Sequence, residues 1–147
     1  MIVYFDTSAL VKAYVQEEGS KEVIALMDDE DNLFGSIVLV KVEMASAIQR
    51  AVRVAGSPSS AAANAWQDFL EDWESFTRLR VAIGTVERAS DIAWKYGLRG
   101  YDSLHLAGAL LWQENLGIKL TFAAFDHDLW LASQKAGLEP WPAGLVT

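Results

Sequence analysis

The chain has 147 residues, which is enough for one domain with a buried core and too few for two domains of ordinary size. Apolar residues make up 52% of it and charged residues 22%, which excludes an intrinsically disordered chain, and no apolar run approaches the ~20 residues of a membrane span. The formal net charge of −8 argues against nucleic-acid binding through a general basic surface, and the absence of cysteine excludes disulfides and thiolate metal sites.

Strands and helices are predicted to alternate along the chain. The apolar run at 2–5 predicts a buried first strand, and Asp6-Thr7-Ser8 is a typical helix start. Glycine, proline and serine mark most of the later boundaries. In chain order the predicted strands lie at 2–5, 33–37, 79–83, 118–123 and 138–141, and the predicted helices lie after 6–8, from 20 to the acidic run 28–31, and at 39–54, 59–73, 85–96, 102–113 and 126–135.

This order of elements predicts one α/β domain over residues 1–147. The helices at 39–54 and 59–73 are separated only by the turn Gly56-Ser57-Pro58, so they are expected to form an antiparallel hairpin. Strands that alternate with helices predict a parallel sheet with helices on both faces, in which ligands bind beyond the carboxyl ends of the strands. The first residues lack the basic and small-residue features of a signal peptide, so we expect a cytoplasmic protein without a membrane partner.

Several acidic residues lie where strands are predicted to end. Asp6 directly follows the first strand, and Asp126 almost directly follows the fourth, with Asp128 two residues further on. Asp102 opens an apolar helix. Each of these residues, taken singly, is explained as a helix N-cap. Taken together, they are placed by the predicted fold at or near one edge of the sheet.

Glu43 has no such local explanation. It lies inside the predicted helix 39–54 among apolar neighbours, and no cation stands three or four residues away. An unpaired carboxylate on a largely buried helix is costly, and a bound cation would relieve that cost. The alternatives are that Glu43 reaches solvent or pairs with a distant arginine.

The acids together suggest a chemistry. Clustered carboxylates repel one another unless they share protons or hold a metal ion. A site made only of oxygen ligands suits Mg²⁺ or Mn²⁺. These ions activate water and stabilise the charge that develops when a phosphodiester is hydrolysed. The sequence therefore favours a metal-dependent phosphodiester hydrolase.

Four segments also carry a resemblance to a known family. They are 3–10 (VYFDTSAL), 42–44 (VEM), 101–107 (YDSLHLA) and 125–129 (FDHDL). In this order they resemble the signature stretches of PIN domains, and their spacing and the total length resemble the VapC toxins of toxin–antitoxin pairs. The resemblance covers essentially the whole chain, and its specificity comes from the four segments together.

The resemblance implies a three-layer α/β/α fold with a parallel sheet in the order 3-2-1-4-5. It implies an endoribonuclease that depends on Mg²⁺ or Mn²⁺, a homodimer, and a cognate VapB-type antitoxin that blocks the active site. The residues that match the family's acidic quartet are Asp6, Glu43, Asp102 and Asp126. Asp128 matches a frequent additional acid, and Ser8 lies where a hydroxyl often supports the site.

A working hypothesis assigns roles to these acids. Asp6, Asp102 and Asp126 ligate a first metal ion directly or through water, and Glu43 completes that shell or helps to hold a second ion. Asp128 is an outer ligand or assists the second site. A water activated by the metal attacks the scissile phosphorus and the 3′ oxygen leaves on the opposite side, so no protein nucleophile is needed. An arginine or lysine of the antitoxin would suit the same pocket, and the net charge favours a basic partner segment.

The remaining polar residues near the motifs receive no catalytic role. His105, one turn after Asp102, is interpreted as a structural histidine, with support of that carboxylate as the alternative. His127, Arg50 and Arg53 are interpreted as ordinary exposed residues, with contact to the RNA backbone as the alternative. The tryptophans lie mostly on apolar helical stripes and are assigned to the core or a dimer interface.

One position departs from the family pattern. The family commonly has threonine or serine two residues before the last acid, and this chain has Ala124 there, so a hydroxyl that would orient the site is missing. Thr121 lies too far along the strand to replace it. The departure supports an alternative, a PIN-like binding module with reduced or lost nuclease activity.

Two other protein classes match the sequence less well. A haloacid-type phosphatase needs a second aspartate where Ser8 stands, and a receiver domain lacks a clear phosphoacceptor after the third strand. A nucleotide-binding Rossmann fold needs a glycine-rich turn after the first strand, where this chain has Asp6-Thr7-Ser8-Ala9.

Overall fold

A computed structural model describes residues 1–145 and contains one parallel sheet in the order β3-β2-β1-β4-β5. The strands are β1 (Ile2–Phe5), β2 (Leu33–Ile37), β3 (Thr77–Leu79), β4 (Thr121–Ala123) and β5 (Glu139–Trp141). The helices are α1 (Thr7–Leu10, continued by a 3₁₀ turn at Val11–Ala13), α2 (Ser20–Asp28), α3 (Val40–Val54), α4 (Ser59–Trp73), α5 (Ile83–Tyr96), α6 (Gly100–Leu116) and α7 (His127–Lys135). The α/β class and the strand order 3-2-1-4-5 are thereby confirmed.

The sheet separates two hydrophobic cores, which explains the continuous apolar character of β1. Val3 and Phe5 point to one face, where they pack with α1 to α4. Tyr4 points to the other face, where it packs with α5, α6 and α7. Since successive side chains of a strand alternate between faces, a central parallel strand must be apolar at every position.

Helix α6 lies unusually close to the sheet. Gly108 faces Ile37 of β2, and a Cβ atom at this position would collide with the isoleucine side chain. A larger residue would push the helix away from the sheet. The glycine therefore fixes the distance at which α6 carries its polar residues to the sheet edge.

The third strand lies earlier than predicted. We expected it at 79–83, but Thr77–Leu79 pair with Gly35–Ile37 of β2, and Ile83 begins α5. The apolar run did not mark the true position of the strand, because β3 is an edge strand. Its Thr77 and Arg78 can remain exposed while their backbone pairs with β2. Strand β4 is also shorter than the predicted 118–123, because its pairing with β1 begins only at Thr121. No helix among residues 1–145 is long and apolar enough to cross a bilayer.

Candidate active site

Two of the predicted acids follow strands and cap the helices that come next. Oδ2 of Asp6 accepts hydrogen bonds from the backbone N–H of Ser8 at 3.1 Å and from its Oγ at 2.5 Å. Oδ1 of Asp126 accepts a hydrogen bond from the backbone N–H of Leu129 at 3.0 Å. The N-cap interpretation is therefore correct for both residues, but capping occupies only one oxygen of each carboxylate. The other oxygens, Asp6 Oδ1 and Asp126 Oδ2, lie near the side chains of His105 and Arg99.

Glu43 has a buried histidine as its partner. Its Oε1 lies 2.6 Å from Nε2 of His105, which is 62 residues further along the chain in α6. The same nitrogen lies 3.6 Å from Oδ1 of Asp6. His105 therefore stands between two acids that come from different elements. The distant partner considered for Glu43 exists, but it is a histidine and not an arginine.

Tyr4 fixes the other side of the histidine ring. Its Oη lies 2.8 Å from Nδ1 of His105 and accepts a hydrogen bond from the backbone N–H of Ile37 at 3.3 Å. Both rings are completely buried, and burial raises the pKa of Tyr4 well above its usual value, so the phenol remains protonated. A series of hydrogen bonds therefore runs from the backbone of β2 through Tyr4 and His105 to Glu43 and holds the Glu43 side chain in one orientation.

The charge of His105 is set by its neighbours. Burial lowers its pKa, but the negative charge of Asp6 and the hydrogen bond and charge of Glu43 outweigh burial, so the pKa is raised. The imidazole is therefore protonated more readily than an exposed one. Sequence reasoning gave this residue no catalytic role, although a histidine within the strongly apolar helix α6 is a signal of a specific polar partner.

Asp102 and Asp126 are joined by an arginine. Nε of Arg99 lies 3.2 Å from Oδ2 of Asp102, and its Nη2 lies 3.1 Å from Oδ2 of Asp126. Helix α6 begins at Gly100, so Asp102 is in the first turn of the helix and does not cap it. The cap interpretation of Asp102 is therefore wrong, because the helix starts two residues earlier than predicted and leaves both carboxylate oxygens free for other partners.

Asp102 also experiences the charge of the other acids. Burial raises its pKa, and the negative charges of Asp6 and Asp126 raise it further, against the opposing effect of Arg99. The contacts agree with this, because Arg99 joins Asp102 to Asp126 and His105 joins Asp6 to Glu43. The structure therefore brings Asp6, Glu43, Asp102 and Asp126 to the carboxyl edge of the sheet.

Ser8 connects two of these acids. Its Oγ donates to Asp6 and accepts hydrogen bonds from the backbone N–H groups of Phe125 at 2.9 Å and Asp126 at 3.3 Å. The serine thus supplies a hydroxyl to the segment that follows Ala124. Thr121 does not replace the missing hydroxyl, as expected, because its Oγ1 donates to Sδ of Met1 instead.

Asp128 lies at the margin of the site. Its carboxylate is 89% exposed, and its charged neighbour is His127, with Nδ1 3.8 Å from Oδ1. No hydrogen bond within residues 1–145 joins it to the other four acids.

Arg50, interpreted from the sequence as an exposed residue, donates to Oγ of Ser46 at 3.1 Å and lines a groove beside the site.

This groove has a volume of about 610 Å³ and lies between α1 and α3. Its lining includes Glu43 and a row of small or apolar side chains, which are Val11, Val42, Ala47, Ala51 and Val54. Thr7 also lines the groove, and its Oγ1 is buried without a hydrogen-bond partner within residues 1–145. A buried hydroxyl without a partner is costly, so Thr7 is a further candidate residue that sequence reasoning missed.

The donor set fits a divalent ion. Among residues 1–145, no three histidine, aspartate or glutamate side chains are already close enough together to hold a metal ion. However, the guanidinium of Arg99 serves as a stand-in cation between Asp102 and Asp126, which shows that this place accepts positive charge. All four acids offer the oxygen ligands that Mg²⁺ and Mn²⁺ prefer. They would fit such an ion once the side chains converge.

Comparison with known proteins identifies the family. The PIN domain model matches residues 3–131. Ribonuclease VapC45 and Ribonuclease VapC49 of Mycobacterium tuberculosis (strains CDC 1551 / Oshkosh and ATCC 25618 / H37Rv) are each 32% identical over 144 residues, which cover 98% of this chain and 97% of theirs. A toxin–antitoxin complex from Klebsiella pneumoniae has a similar fold, with a TM-score of 0.53 and 14% identity over 81% of this chain and 83% of that chain. The protein therefore belongs to the PIN-domain family and, within it, to the VapC ribonucleases.

Proposed function

We propose that this protein is a toxin endoribonuclease that hydrolyses RNA with Mg²⁺ or Mn²⁺ held by Asp6, Glu43, Asp102 and Asp126. The observation that carries the proposal is the presence of two bridged carboxylate pairs at one sheet edge: Asp102 and Asp126 share Arg99, and Asp6 and Glu43 share His105. The ribonuclease relatives support RNA as the substrate. The cytoplasm, where cellular RNA is found, is the compartment we propose.

The four carboxylates would divide the work of binding the ion. Asp6 and Asp126 each have one oxygen committed to a helix cap and one directed to the site, so their positions are rigid. Asp102 contributes from the first turn of α6, and Asp128 would act only as an outer ligand because of its exposure. When bound, the ion would supply an activated water and would stabilise negative charge on the scissile phosphate.

Other residues of the chain prepare the site. Ser8 holds Asp6 against the segment that carries Asp126. His105 holds Glu43 and, in its protonated form, reduces the repulsion between Glu43 and Asp6. Thr7 lines the same groove as Glu43.

The groove supports the proposal of an antitoxin partner. Its apolar side chains would accept the apolar face of a partner helix. A basic side chain from that helix could then reach Glu43 and neutralise the carboxylates in place of the metal. The net charge of −8 favours a basic partner segment. The toxin–antitoxin complex with a similar fold is consistent with this arrangement.

We also propose that the protein is a homodimer. Ile83, Val86 and Trp94 lie on one face of α5 and are all exposed, and the Trp94 side chain is 93% exposed. Such a row of large apolar side chains is unusual on a monomer surface. A second copy of the chain would bury it.

Cleavage of total cellular RNA by the purified protein tests the proposal. We expect cleavage with Mg²⁺ or Mn²⁺, none with a chelator, and discrete product ends when these are mapped. Asp126→Asn should abolish cleavage while its amide oxygen still caps α7, whereas Asp31→Asn, an exposed acid at the far end of α2, should behave as wild type. Equal cleavage in chelator would refute the metal site, and weak Mn²⁺ binding without cleavage would favour the alternative of a binding module.

A further inference from the structure

Arg99 occupies a particular place in the site. It is the residue directly before α6, and its guanidinium contacts Asp102 through Nε and Asp126 through Nη2. These two carboxylates lie 24 residues apart in the chain, one in the first turn of α6 and the other at the N-cap of α7. The guanidinium therefore does part of what a metal ion would do for this pair: it contacts both carboxylates and compensates one of their two negative charges.

The arginine is anchored through its backbone and loosely held through its side chain. Its carbonyl oxygen accepts hydrogen bonds from the backbone N–H of Ser103 at 2.9 Å and from Ser103 Oγ at 3.0 Å, which fixes the main chain. Its side chain is 80% exposed. Exposed ion pairs contribute little to stability and are screened by solvent. The guanidinium can therefore leave the carboxylates without disturbing α6.

The acids need a counter-ion when no metal is bound. Negative charges of Asp6 and Asp126 act on Asp102, and Arg99 provides the compensating positive charge. A divalent ion carries twice the charge of a guanidinium and binds carboxylate oxygens directly. A divalent ion held by Asp102 and Asp126 would compete with the guanidinium for these carboxylates.

We infer that Arg99 is a resident counter-ion of the active site, which lowers the affinity for divalent metal and is displaced when the metal binds. This inference rests on the proposed function, because it requires that Asp102 and Asp126 are metal ligands. It assigns Arg99 a role in setting the metal concentration at which the protein becomes active. Once metal has bound, the displaced guanidinium of Arg99 would remain as a mobile cation at the mouth of the site.

Metal affinity tests the inference. Mn²⁺ binding to the full chain is measured by calorimetry for wild type, Arg99→Gln, Arg99→Lys and Arg88→Gln. Arg88 is the control, because it also pairs with a carboxylate, that of Glu114 near the opposite end of α6, about 18 Å from Asp102 along the helix. We expect Arg99→Gln to bind Mn²⁺ about three- to tenfold more tightly, since two exposed ion pairs are removed. The Mn²⁺ affinity of Arg99→Lys should lie between those of wild type and Arg99→Gln, and the Mn²⁺ affinity of Arg88→Gln should equal that of wild type.

Displacement itself is observed by nuclear magnetic resonance of the arginine Nε–Hε groups during a Mg²⁺ titration, with the Arg99 signal assigned from its absence in Arg99→Gln. We expect this signal to shift on Mg²⁺ binding while that of Arg88 stays constant. If wild type binds Mn²⁺ at a site that Asp126→Asn destroys, but Arg99→Gln binds no more tightly or the Arg99 signal does not move, the inference is wrong and the metal site stands. If Asp126→Asn binds Mn²⁺ as wild type does, both the inference and the proposed metal site fail.

Discussion

Replacing Ser8 with alanine removes the hydroxyl that connects two parts of the active site. The Oγ atom donates to the carboxylate of Asp6 and accepts from the N–H groups of Phe125 and Asp126. A hydrogen bond to a charged group contributes about 1.5–3 kcal/mol, and each N–H left without a partner costs about 1 kcal/mol or more. The bond from Asp126 is long, at 3.3 Å, and alanine is the better helix former by roughly 0.5 kcal/mol. We therefore expect Ser8→Ala to lower the free energy of unfolding by about 2–3 kcal/mol.

Urea-induced unfolding of the metal-free protein, followed by tryptophan fluorescence, measures this effect. Ser90→Ala is the matched control, because the exposed hydroxyl of Ser90 donates only to the carbonyl of Val86 within α5, and its loss should change stability by less than about 0.5 kcal/mol. The RNA cleavage rate of Ser8→Ala should also fall about 10- to 100-fold, as is usual when a residue that orients a metal ligand is removed. A variant as stable and as active as wild type would refute the role given to Ser8.

Three further predictions concern residues around the site. Thr7→Val should leave stability unchanged or slightly raised, because the buried hydroxyl has no partner within residues 1–145, and should lower the rate of RNA cleavage; an unchanged rate would remove Thr7 from the site. The pKa of His105 is raised in the folded protein, so protonated His105 stabilises the fold. This stabilisation is fully present below the ordinary pKa of 6.5 and is lost as the pH rises through the raised pKa. The free energy of unfolding should therefore fall with pH above 6.5 in the metal-free protein, and His105→Gln should lose this dependence while the control His127→Gln retains it. Trp94→Glu should convert a dimer to a folded monomer in light scattering, and a dimer that persists would place the interface elsewhere.

The part of the fold that depends on apolar pattern was predictable from the sequence. Strands β1 and β2 lie where they were predicted, because most of β1 and the second half of β2 are buried inside the sheet. The edge strand β3 was misplaced, because its Thr77 and Arg78 do not need to be apolar. The order of the strands came from the family resemblance and not from the pattern of any strand.

The placement of the acids was also largely predictable, because parallel strands deliver the residues that follow them to one edge of the sheet. Asp6 and Asp126 are at that edge, as expected. The partner of Glu43 was not predictable from local spacing, because His105 is 62 residues away and meets it only through the packing of α6 against the sheet.

Arg99 illustrates the same limit. Its pairing with Asp102, three residues further on, is visible in the sequence, but its pairing with Asp126 depends on how α6 and α7 meet. Trp94 shows a different limit. From the sequence a tryptophan on an apolar stripe fits either the core or an interface, and only the exposure of Trp94 in the structure excludes the core.

Single-turnover cleavage of an end-labelled RNA by wild type and Asp6→Asn, with saturating Mn²⁺, tests the central claim most directly. The asparagine keeps an oxygen that can accept the hydrogen bonds from Ser8, so α1 remains capped and the melting temperature should stay close to that of wild type. The variant loses one negative charge of the proposed metal site and so should hold the ion less tightly, and we expect cleavage to fall below detection. Cleavage by Asp6→Asn at the wild-type rate would contradict the assignment of the carboxylates at this sheet edge as the catalytic metal site.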